Sequence, residues 1–211
     1  MAPTSEICSL KFEIRMRGKC PATQFYMTKL LSLSLVLFAT LSISAQKTND
    51  QITSQLKSLK ADKQITLSYD SSSNATKIMV IGDNVSDVEA KAAGIQAMNF
   101  GMAFFYPGKA LATPPETFNI TFWVLTKKPK FAEAHAWKAT VGSETLDLGD
   151  ARYVYKSSES EEFLNLKITR ADLAKIAAGS NVKFKLGNAD FTFTPSQLST
   201  FKSLIAITEI K

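Results

Sequence analysis

Nucleophiles, general bases and metal ligands are scarce in this chain. His135 is its only histidine. A Ser-His-Asp arrangement would need that ring as general base, beside a nucleophile on a strained, exposed turn. No G-x-S-x-G occurs, and the flanking Ala134 and Ala136 read as ordinary strand. Both cysteines, Cys8 and Cys20, lie within the first 45 residues. Beyond residue 45 the sequence therefore offers no thiol nucleophile, disulfide framework or thiolate metal site, and one histidine falls short of the three or four ligands zinc prefers. We assign no catalytic residue, no metal ligand and no cofactor from the sequence.

Carboxylates are what remains for acid–base work. Asp147 and Asp150 flank one turn, Asp83, Asp87 and Glu89 crowd another, and Glu159, Glu161 and Glu162 share a polar stretch. Two acids held roughly 5–10 Å apart can hydrolyse a glycosidic bond, but spacing along a chain does not report that separation. Each group falls at a turn or loop, where acids are ordinarily solvated. The Asp83 region also lacks the D-x-[DN]-x-[DN]-G register of a calcium loop.

The aromatic residues point elsewhere. Trp123, Trp137, Tyr153 and Tyr155 fall on expected strands near the middle of the sheet. If two or three of them face outward together, they offer a sugar ring or an apolar partner broad area with a polar edge. If they face inward they fill the core, as strand aromatics mostly do. Lys127, Lys128 and Lys130 could meet an anionic surface, although a three-lysine loop normally only solubilises a turn. Asn74, Asn84 and Asn119 head glycan-acceptor triplets, which matter only in a host that glycosylates.

The segment that places these residues in a compartment is Leu30 to Ala45, preceded by Met27-Thr28-Lys29. A basic start, an apolar run of roughly 7–15 residues and small residues at its end make a secretory signal. Cleavage after Ala45 leaves Gln46 as the new terminus, with cleavage after Ser44 as its competitor. The competing reading is a membrane anchor, which needs about 20 mainly apolar residues; this run is shorter and diluted by Ser and Thr. Three segments are expected: a non-structural leader over 1–26, a possible start-site artefact; a signal peptide over 27–45; and one exported domain over 46–211. That domain carries 20 Lys+Arg against 17 Asp+Glu, a net charge of +3. So small an excess does not argue for nucleic acid, and no stable membrane anchor is expected after cleavage.

Within the domain, short strands separated by turn residues about every 8–12 positions predict an antiparallel sheet. Ile65–Tyr69 and Lys77–Ile81 predict a hairpin. Met98, Phe100, Met102, Phe104 and Tyr106 sit two apart with small residues between them, a strand with one bulky face. Phe118, Ile120, Phe122 and Val124 alternate with Asn119, Thr121, Trp123 and Leu125 in the same way. Ser157 to Glu162 reads as an acidic loop ahead of a strand from Phe163. Helices are expected from Thr48 to Leu59, briefly from Ser86 to Gly94, from Thr169 to Gly179, and from Thr194 to about Ile205. The last opens with an N-cap Thr194, Pro195 at the first position and Gln197 at the third. The expected fold class is α+β: mainly an antiparallel β-sandwich or barrel-like sheet with a short N-terminal helix and two C-terminal helices. The expected function is an exported, periplasmic or extracellular, non-catalytic protein that binds a protein or carbohydrate partner. The alternatives are a carboxylate-dependent glycoside hydrolase and an aromatic-platform carbohydrate-binding module.

Overall fold

Strict alternation of apolar and polar residues sets the architecture. The computed structural model describes residues 46–210; the leader, the signal segment, Cys8 and Cys20 lie outside the described residues. In chain order the elements are β1 (Lys47–Thr48), α1 (Asn49–Ser58), β2 (Ile65–Asp70), β3 (Ala75–Ile81), α2 (Asp87–Ala93), β4 (Ala97–Pro107), β5 (Ala110–Leu111), β6 (Thr117–Leu125), β7 (Ala136–Val141), β8 (Glu144–Asp150), β9 (Arg152–Lys156), β10 (Glu161–Thr169), α3 (Arg170–Ala178), β11 (Val182–Leu186), β12 (Ala189–Thr192) and α4 (Pro195–Ile207). All pairings are antiparallel. β2-β3-β4-β6-β10-β9 form a six-stranded sheet, β12-β11-β7-β8 a four-stranded sheet, and β1-β5 a two-stranded one. The fold is α+β, with sheets that stay open rather than closing into a barrel. Among the described residues no helix is long and apolar enough to cross a membrane.

The alternating residues of β4 and β6 all turn inward: Met98, Phe100, Met102, Phe104 and Tyr106 are buried, as are Phe118, Ile120, Phe122 and Val124. They form one face of a single core. The four-stranded sheet covers part of that face, with Phe122 edge-on to Trp137 at 5.4 Å and stacked on Phe184 at 5.7 Å. α4 closes another part through Phe201, whose ring lies 5.5 Å from Phe100 and 5.3 Å from Phe193. Aromatic pairs at these separations contribute about 0.5–1.5 kcal/mol beyond the area they bury. α1 adds Ile52 and Leu56 to the same core.

The helix ends follow their local chemistry. Thr48 and Thr194 each form a full capping box, with Gln51 and Gln197 as the returning side chains. Each box satisfies backbone donors that the first helical turn leaves unpaired. Ser86 accepts from the Glu89 N–H, while the Glu89 carboxylate bonds the Ser86 hydroxyl. Gly179 ends α3 without left-handed backbone, at φ −67°. Its missing side chain matters for packing instead, since a Cβ there would lie 2.4 Å from Val182 Cγ2.

One boundary changes the place of a candidate acid. β10 begins at Glu161, so Glu162 belongs to a strand and not to the acidic loop before it. Its parity with Leu164, Leu166 and Ile168 turns it into the core, where it is fully buried.

Candidate functional site

The six-stranded sheet has a second face, and its composition is unusual. Seven large hydrophobic side chains are exposed among the described residues, and five of them lie on this one face: Ile81, Phe105, Trp123, Leu125 and Val154. Strand alternation puts them there, opposite the buried neighbours Val80, Phe104, Phe122 and Val124. Scattered apolar residues on a surface need no explanation, whereas a concentration of them on one face marks an interaction site. β9 to β3 spans four strand intervals, about 19 Å at the usual spacing of about 4.8 Å.

Register builds the centre of the face. Trp123 on β6 pairs directly with Phe163 on β10 and with Asn99 on β4, and Phe163 pairs in turn with Val154 on β9. The Trp123 and Phe163 rings are nearly parallel, 5° apart, with centroids 6.5 Å from each other. Trp123 is 44% exposed. The ammonium of Lys156 lies 5.0 Å from the centre of the Phe163 ring. In the adjacent row Thr121 donates its hydroxyl hydrogen to Asn165 Oδ1 at 2.7 Å, which leaves the Asn165 amide hydrogens for other acceptors. Along β4 the outward residues ahead of Phe105 are Ala97, Asn99, Gly101 and Ala103. These short side chains lie between Trp123 on β6 and Met79 and Ile81 on β3. At Gly101 a Cβ would lie 3.3 Å from the Val80 carbonyl.

The four aromatics singled out from the sequence separate. Trp123 alone lies on the open face. Trp137 is 1% exposed and sits in the core against Phe122, so it has no surface to offer a ligand. Tyr153 and Tyr155 have the opposite parity on β9 from Val154, pairing with Leu164 and Glu162, and both are half-buried. Phe163, which the sequence reading put at the start of a core strand, takes their place beside Trp123. Its signal was legible: it breaks the parity of Leu164, Leu166 and Ile168 and shares that of Asn165 and Lys167.

Tyr153 instead joins a buried polar cluster. Glu162 Oε1 accepts from the backbone N–H of Lys130 at 2.7 Å, from that of Phe131 at 2.9 Å and from the Tyr153 hydroxyl at 2.9 Å. Burial, then the hydrogen bond to Glu162, holds the Tyr153 phenol well above its ordinary range. The His135 ring stacks on Tyr153 at 6.0 Å, with Nδ1 3.2 Å from the Phe131 carbonyl. These contacts fix the chain between β6 and β7 against the edge of the sheet. They account for His135 without giving it a nucleophile to activate.

Of the other candidate acids Asp147 and Glu159 are paired, while Asp83, Asp87 and Asp150 are exposed. Asp147 pairs with Lys138 at 3.6 Å and accepts from the Gly149 N–H at 3.2 Å, holding an irregular step in the β7–β8 pairing. Asp150 is exposed on the same strand. Glu159 pairs with Lys156 at 3.4 Å. Among the described residues no group of three or more His, Cys, Asp or Glu could hold a metal ion. Compared with known proteins, the chain matches no protein family, no curated protein and no solved structure.

Proposed function

We propose that this is an exported, non-catalytic binding protein that engages its partner through the open face of the six-stranded sheet. The concentration of exposed Ile81, Phe105, Trp123, Leu125 and Val154 on that face carries the reading. An open sheet face that keeps a tryptophan and four aliphatic or aromatic side chains in water retains a cost that binding can recover, at roughly 25 cal/mol per Å² of apolar surface. Export rests on the Met27–Ala45 signal. A carbohydrate-binding module is the second reading, favoured by the exposed Trp123 with Asn99, Thr121 and Asn165 around it.

Two experiments test the proposal. The intact mass of the protein in the exported fraction of its host should match Gln46–Lys211; retention of residues 30–45 in membranes would contradict export. Adsorption to insoluble glycans and to host surface proteins should fall at least tenfold in a Trp123→Ala/Phe105→Ala protein that melts like the native one. Equal adsorption would remove the face as the binding surface. Changing Asp147 and Asp150 to Asn should leave binding intact, because neither lies on the six-stranded sheet.

A further inference from the structure

Cations are distributed unevenly around the open face, and their arrangement narrows the partner's chemistry. Residues 46–211 contain two arginines, Arg152 and Arg170. Arg170 is committed to the fold, donating to Thr208 Oγ1 at 2.6 Å and to the Ile205 carbonyl at 3.0 Å at the end of α4. Arg152 stands on the open face, in the row next to Trp123 and Phe163, paired across β9–β10 with Asn165. Lys167 follows Asn165 two residues on and shares its face. Both side chains are exposed, and among the described residues neither has a hydrogen bond or ion pair. Lys77 adds a fourth cation at the other side of the face, 5.9 Å from the Phe105 ring, after Lys156 over Phe163. Against these four stand the half-buried Glu161, Asp70 and, in the β9–β10 turn, Glu159, which is held by Lys156.

We propose that the open face binds a carboxylated polysaccharide, with a sugar ring against the exposed Trp123 and uronate carboxylates on Arg152 and Lys167. The inference rests on the sheet face being the binding surface. An exposed tryptophan offers a sugar ring a flat apolar area, and a uronate carboxylate projects from the ring's edge. That edge is where Arg152 can reach from the neighbouring row. The guanidinium fork of Arg152 can hold a carboxylate bidentately. Lys167 and Arg152 on two adjacent strands give a polymer with one charge per sugar two points of contact, while Lys156 is held by Glu159. The Asn165 amide, held in orientation by Thr121, and Asn99 beside Trp123 supply partners for ring hydroxyls. A span of about 19 Å accommodates several sugars rather than one.

Affinity electrophoresis of the purified protein tests this, with polygalacturonate, dextran or dextran sulfate in the gel. Polygalacturonate should retard the native protein, and neutral dextran should not. Trp123→Ala should weaken retardation about tenfold, a loss expected of a central aromatic anchor. Arg152→Gln/Lys167→Gln, which touches no packing, should weaken it at least as much and leave the melting temperature unchanged. Equal retardation by dextran, or indifference to the charge variant, would overturn the uronate assignment while the sheet face stood as a platform for neutral sugars. Retardation by dextran sulfate equal to or greater than that by polygalacturonate would overturn the carboxylate choice. Absence of retardation in every gel, with a protein partner still lost on Trp123→Ala, would overturn the polysaccharide and keep the face. Binding of any kind that ignores Trp123→Ala would overturn both.

Discussion

Removing the Glu162 side chain should release the segment between β6 and β7, and the contacts on the carboxylate set the size of the effect. Oε1 takes three hydrogen bonds, from the N–H groups of Lys130 and Phe131 and the hydroxyl of Tyr153. Bonds to a charged group contribute about 1.5–3 kcal/mol each, and a buried donor left unpaired costs about 1–3 kcal/mol. In Glu162→Ala the Phe131 N–H stays buried, while the part-buried Lys130 N–H and Tyr153 hydroxyl can turn to water. Part of the loss is offset, because Oε2 is buried with no partner and its removal relieves that cost. The net destabilisation is about 3 kcal/mol, which for a domain of this size lowers Tm by about 6–12 °C. Glu162→Gln keeps an acceptor at Oε1 and removes the charge, so it should cost about half as much. Urea and thermal unfolding give the energies, and amide exchange at Lys130 and Phe131 reports the local opening. A Glu162→Ala protein within about 0.5 kcal/mol of native, with those amides still protected, would refute the reasoning.

Gly187 and Gly142 hold comparable left-handed backbone, at φ +57° and +62°, but differ in surroundings. A Cβ at Gly187 would lie 2.1 Å from the Ala134 carbonyl oxygen, and one at Gly142 meets nothing within 4 Å. Gly142→Ala should therefore cost only the backbone strain of about 1–2 kcal/mol, and Gly187→Ala clearly more; equal denaturation midpoints would contradict this. Asp70 is held down to about 2, first by the Ser72 hydroxyl, then by the Ser73 hydroxyl and the Ser72 N–H. Its ionised form favours the fold fully above the unfolded value of 3.8, and that contribution fades as pH falls through about 2. A carboxyl resonance titrating near 3.8 in the folded protein would refute it, and Ser72→Ala should raise the midpoint. Tyr153 and Tyr106 are both raised, chiefly by burial. Their neutral forms favour the fold below about pH 10, and this is lost as pH climbs through their higher folded values. Both should ionise above their ordinary range by NMR, and ionisation of Tyr153 near pH 10 would contradict the cluster with Glu162.

What could be read from the sequence was whatever depends on parity and on helix ends. The alternation in β4 and β6 identified the buried set, and Thr194-Pro195-Ser196-Gln197 marked the start of α4, because both signals act within a few residues. Strand order could not be read in this way. β6 pairs with β10 across three intervening strands, two of which build the other sheet, and such a pairing is decided by packing between distant segments. The same limit separated Trp123 from Trp137. Trp123 lies between the core residues Phe122 and Val124, whereas Trp137 lies between Ala136 and Lys138, and only the placement of β7 over Phe122 turns Trp137 inward. Glu162 and Phe163 were legible by parity but obscured by composition, since an acid beside Glu159 and Glu161 reads as loop and a phenylalanine beside Leu164 reads as core.

The most direct test of the open sheet face as the binding surface uses the chain's two tryptophans. Trp137 is buried and Trp123 is 44% exposed, so acrylamide should quench one emitting component and spare the other. Saturating polygalacturonate should protect the quenchable component in the native protein, and Trp123→Phe should abolish that component altogether. A ligand that binds with Trp123 still fully open to acrylamide would contradict the account.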